Sequence, residues 1–141
     1  MNREQRMKCT EFYEYENVNP KNKFGGDCVI RAIAKATGQS WETTIREMTD
    51  LGIKMGFVLN DDHVFAKYLE SKGFRKMNEP RDVCNRKLSV KDWLIQHEGC
   101  KIKPIVVVVG SHHVTCIIDN KVHDIWNCSN NTMHRYWIKV L

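Results

Sequence analysis

Residues 104–127 read PIVVVVGSHHVTCIIDNKVHDIWN. The valine run falls far short of the roughly 20 apolar residues that cross a bilayer. Its β-branched density reads as a buried strand. Two further strand-like segments follow, HHVTCIID and KVHDIWN, and HRYWIKVL supplies a fourth near the end of the chain. Asp119, Asn120 and Lys121 lie between the second and third segments, where short polar residues suit a tight hairpin turn.

That hairpin constrains which side chains can meet. A two-residue loop, at 119–120 or at 120–121, makes any same-face pair have residue numbers of odd sum. His113 and Asp124 therefore share one face, and His112 and His123 fall together on the other. With the loop at 119–120, Asp124 sits opposite Thr115 and diagonal to His113, within reach of a long side chain.

Upstream the period is helical. FGGDCVIRAIAKATG, residues 24–38, places Asp27 as an N-cap, Cys28 in the first turn and Gly38 as a left-handed stop. Ser40 caps a second helix, WETTIREMTDLG, closed by Gly52. A third runs from Asn60 or Asp61 to Gly73, with Val64, Phe65, Tyr68 and Leu69 on one face. Residues 75–87 read as a polar, basic loop. Ser89 and Asp92 are spaced like a capping box at the start of a short fourth helix. Residues 1–26 look irregular, with a short strand near EFYEYE. Helices first and strands second predict an α+β fold, a helical half on a C-terminal antiparallel sheet, in a single domain over 1–141.

Composition narrows the function. Of 141 residues, 42% are hydrophobic and 28% charged, as in ordinary globular chains. The net charge of +5 is spread over scattered residues such as Arg3, Arg6, Lys72 and Lys103. No basic helix or aromatic platform emerges, so nucleic acid is a disfavoured partner; phosphate contacts would show as a steep loss of affinity with salt. The polar N-terminal stretch has no signal-like apolar segment, and the expectation is a cytoplasmic protein with no membrane partner. The six cysteines have irregular gaps and no CxxC, which disfavours a disulfide framework. Cys84, Cys100, His112, Cys116, His123 and Cys128 are potential zinc ligands without the close paired spacing of structural sites. No metal or cofactor is expected.

A thiol at a helix N-terminus with a His–Asp pair on adjacent strands is the outline of nucleophilic catalysis. Cys28 would be the nucleophile, His113 the base, and Asp124 the group orienting the imidazole. The Cys28 backbone N–H and a side-chain amide from the preceding segment would stabilise an oxyanion.

The order Cys, His, Asp, with the cysteine opening a helix and the others on later strands, resembles the papain-like cysteine peptidase superfamily. GDCVIRAIA and HVTCIIDNKVHDIWN look more specifically like small bacterial and phage members. In those the histidine opens a strand, a short turn follows, and a D-x-W segment comes next. The resemblance implies a pared-down papain-like core with Cys28, His113 and Asp124 as the triad. It implies Asn22, six residues before the cysteine, as the oxyanion amide, with Asn19 as a nearby rival, and Trp126 as cleft wall. Val29 stands where papain has tryptophan, and asparagine where it has glutamine. The implied activity is amide cleavage of a peptide or protein through an acyl-enzyme. The alternative is a papain-fold binding protein of little or no activity.

Overall fold

A computed structural model describes residues 2–140. Among them are five helices, α1 (Arg3–Met7), α2 (Cys28–Thr37), α3 (Trp41–Met55), α4 (Asp62–Ser71) and α5 (Val90–Gln96). The six strands are β1 (Tyr13–Tyr15), β2 (Phe74–Met77), β3 (Ile105–Val109), β4 (His113–Ile118), β5 (Lys121–Asp124) and β6 (Met133–Lys139). They form one sheet in the order β1-β5-β4-β3-β6-β2. The fold is α+β, but the sheet is mixed rather than antiparallel, because β1 joins β5 in parallel. Nor are helices and strands fully segregated. Both edge strands, β1 and β2, precede α5 and the run of strands β3 to β6, and β2 occupies part of the stretch expected to be loop. Its RKM sequence carries no apolar alternation because only Phe74 is buried; an edge strand is held by backbone pairing to β6.

The valine run is apolar throughout because β3 is the centre of a sheet covered on both faces. Val106 and Val108 pack into a core with α2, α3 and α4, which supply Ile30, Ile33, Met48, Phe65 and Leu69. Ile105, Val107 and Val109 face a second core with Val90, Trp93 and Leu94 of α5. The period of two assigns successive valines to opposite faces.

Helix boundaries follow their caps. Ser40 accepts from the Thr43 N–H at 3.0 Å and Ser89 from the Asp92 N–H at 3.1 Å. Gly38 ends α2 in the left-handed region. Gly52, however, does not end α3. The helix continues to Met55 and Gly56 takes the left-handed cap. A Cβ on Gly52 would sit 2.6 Å from the Phe57 carbonyl oxygen, so this glycine lets the following loop fold tightly back on the helix.

Candidate active site

Cys28 is the first residue of α2, half-buried, and reached through Gly25 and Gly26, whose φ values of 141° and 69° favour glycine. His113 opens β4 and Asp124 ends β5. Ile118 pairs with Lys121 across a loop of Asp119 and Asn120, both at positive φ. This is the first of the two registers anticipated, and it brings His113 Nε2 to 2.6 Å from Asp124 Oδ2. His112 is exposed, and His123 bonds instead to Glu16 and the Ile118 carbonyl.

Asp124 is 4% exposed and well supplied with donors. Besides His113, it accepts from the Ile125 N–H at 2.7 Å, Arg31 Nη2 at 3.5 Å and the Cys128 thiol at 3.8 Å. Burial alone would raise its pKa; the His113 bond and charge, with Thr115 and the Ile125 N–H, hold it below the usual carboxylate value. For His113, burial favours the neutral ring. Hydrogen bonding to Asp124, with Cys128 and Cys28 close by, outweighs that and pushes the imidazole up to about 11. Burial likewise opposes ionisation of Cys28, but His113, the Val114 backbone and the Arg31 charge bring its thiol below the ordinary value. The ring and the thiol each shift the other's ionisation, although no hydrogen bond joins them among the described residues. Such contacts commonly tighten only when substrate binds. Both shifts run in the direction of a thiolate beside an imidazolium.

Arg31 ties the two halves of this arrangement together. One turn beyond Cys28 and 7% exposed, it pairs with Asp27 and reaches Asp124. The helical pattern of the sequence gives Arg31 no role beyond continuing the helix. The signal was its spacing, four residues after Asp27 and three after Cys28. Cys128 was missed as a neighbour of the pair, since nothing in the sequence places the segment after β5 behind Asp124.

Asp27 stands at the N-cap position but its carboxylate caps nothing. It is turned to Arg31, Asn19 Nδ2 and Trp41 Nε1, the last two at 3.1 and 3.0 Å. Among the described residues the Cys28 N–H therefore has no acceptor, so the dipole-positive end of α2 is open to an anion. The structure does not bring Asn22 there. It is exposed, at φ 54° in a turn closed by its N–H to the Asn19 carbonyl, with Oδ1 3.4 Å from Asn17 Nδ2. Asparagine tolerates this left-handed backbone, which accounts for the residue as a turn former. Asn19 is no substitute, since its amide is engaged with Asp27.

The site opens into a cleft of about 280 Å³ whose lining includes Phe24, Gly25, Gly26, Cys28, His113 and Trp126. The Trp126 ring lies 4.8 Å from that of His113 at 48° and lines the cleft beside the imidazole. Of the metal-ligand candidates, Cys84 and Cys100 are exposed and isolated in sequence from the others. A donor set does form from His113, Asp124 and Cys128, with ligand atoms within 4.8 Å of one another. In this set His113 Nε2 is already engaged by the Asp124 carboxylate at 2.6 Å. Comparison of the chain with known protein families, with curated proteins and with solved structures yields no match to any of them.

Proposed function

We propose that this chain is a thiol hydrolase with a papain-like core, cleaving an amide bond in a peptide or protein. The observation that carries the reading is the short His113–Asp124 bond on a ring that also acts on the Cys28 thiol at the mouth of a cleft. With Nε2 held by Asp124, the nitrogen left for proton transfer is Nδ1. The Cys28 thiolate adds to the scissile carbonyl carbon, and the carbonyl electron pair moves onto oxygen, where the Cys28 N–H can meet it. As the pair returns, the C–N bond breaks and the leaving amine takes the proton from His113. The now neutral ring accepts a proton from water, whose oxygen attacks the thioester. Collapse releases the acid and restores thiolate and imidazolium.

The placement of Asn22 outside the cleft favours one alternative, a papain-fold protein that binds peptides and turns them over slowly or not at all. A peptide pool separates the two. Mass spectrometry after incubation should find new termini with the wild type, and an acid quench should trap an acyl adduct on Cys28. Cys28→Ala should give neither. Peptides bound but uncut, with no adduct, would favour the binding protein; equal cleavage by Cys28→Ala would overturn both the nucleophile and the reaction.

A further inference from the structure

The wall of the cleft includes Arg6, brought there by α1. No residue of α1 is buried, so packing of the helix itself does not explain its place. Two tertiary contacts do. The hydroxyl of the buried Tyr13 donates to the Arg6 carbonyl and lies 3.3 Å from the Asp124 carbonyl oxygen. The last turn of α1 is thereby tied to the strand that carries the acid of the triad. The Arg6 guanidinium then sits over the Phe24 ring, 5.3 Å from its centre, as a cation on an aromatic face.

What this cation lacks is an anion. Arg31, the other guanidinium lining the cleft, is taken up by Asp27 and Asp124. Arg6 pairs with no carboxylate among the described residues. No acidic side chain lines the cleft. The segment leading to Cys28, VNPKNKFGG at 18–26, adds the exposed Lys21 and Lys23 and no acid. Phe24, Ile125 and Trp126 on the same wall replace part of the water around the guanidinium, which strengthens its pull on a negative group.

The group that fits is a carboxylate, whose two oxygens match the guanidinium fork. A cleft of about 280 Å³ holds Cys28 and Arg6 against the same short stretch of substrate. We infer that Arg6 sets the specificity of the cleft, by receiving a substrate carboxylate on the residue that bears or adjoins the carbonyl attacked by Cys28. The inference rests on the reading of Cys28 as nucleophile, and the experiment separates the two.

A peptide offers such a carboxylate from an acidic side chain or from a free C-terminus, and matched pairs of electrophiles distinguish them. The chloromethyl ketones of acetyl-glutamate and acetyl-glutamine differ only in a side-chain carboxylate. Iodoacetylglycine and iodoacetylglycinamide differ only in a terminal one. Labelling of Cys28 by each is timed by mass spectrometry. The acid-to-amide rate ratio is read within one protein, so a general change in thiol reactivity cancels. In the wild type the ratio should reach about tenfold in one pair or the other, the size that a charge-assisted hydrogen bond supplies. The His113 imidazolium also attracts anions, so the Arg6 variants decide the matter. Arg6→Gln should lower the ratio by at least about fivefold, and Arg6→Glu should lower it further. A fall in the glutamate pair identifies an acidic side chain, and a fall in the glycine pair a C-terminus. Wild-type ratios near one in both pairs would overturn the role of Arg6 and leave the nucleophile standing. So would a high ratio that neither variant changes, which would assign the preference to His113. A Cys28 inert to every reagent, iodoacetamide included, would overturn both.

Discussion

Arg31→Met should lower the free energy of unfolding by about 3–5 kcal/mol, the usual consequence of removing one partner from a buried ionic group. The Arg31 guanidinium stands between two carboxylates, and the side chains of Asp27 and Asp124 are only 11% and 3% exposed. Methionine fills the volume but leaves both acids facing each other across an uncharged gap. Urea denaturation at neutral pH measures the loss. Arg31→Lys should recover part of it, because a single ammonium cannot bridge two carboxylates as a guanidinium fork does. A loss below about 1 kcal/mol for Arg31→Met would mean that the acids find other partners or water. The α2–β5 tie described above would then not be what holds Cys28 and Asp124 in register.

The second large effect is on chemistry. His113→Ala should slow peptide cleavage by about 10²–10⁴-fold, the range attributed to a positioned acid–base group. The loss has two parts, since the ring both moves the proton and lowers the Cys28 pKa. His112→Ala should change little, because that side chain is exposed in the turn before β4. Steady-state cleavage of a peptide found by the pool experiment gives both numbers. A large loss with His112→Ala and none with His113→Ala would contradict the pairing of His113 with Asp124.

The His113–Asp124 pair was legible because strand periodicity is strict. Once a two-residue loop closed the hairpin, odd sums had to share a face, and the observed Cys116–His123 pairing agrees with the 119–120 loop. Cys28 at the first turn of α2 followed from glycines, an aspartate and a helical run in sequence. Three features were not legible, each for a physical reason. The parallel joining of β1 to β5 is a long-range contact between segments whose local patterns say nothing about direction. Asp27 looked like an ordinary cap, and only tertiary contacts with Arg31, Asn19 and Trp41 draw its carboxylate away. Asn22 was placed by counting back from Cys28, whereas its backbone in the turn directs it away from the cleft.

Gly52 shows the same limit from the opposite side. A glycine near the end of a periodic run reads as a stop, but here its missing side chain accommodates the Phe57 carbonyl inside the helix's own packing. That close approach also folds the loop after α3 back on the helix, which a stop at Gly52 does not anticipate.

The central claim is that Cys28 is ionised by His113. The direct measurement is the pH profile of alkylation, mapped by mass spectrometry to each of the six thiols with a limiting electrophile. Free thiols titrate near 8.5. In the wild type the Cys28 inflection should lie below that value, because the protonated imidazole beside it lowers the thiol's pKa. His113→Ala removes the positive ring but not the burial, so the Cys28 inflection should rise above the free-thiol value. Exposed Cys9, Cys84 and Cys100 should be indifferent to that substitution. A Cys28 profile that follows an ordinary thiol and does not move in His113→Ala would contradict the account, as would a Cys28 protected while the exposed cysteines react.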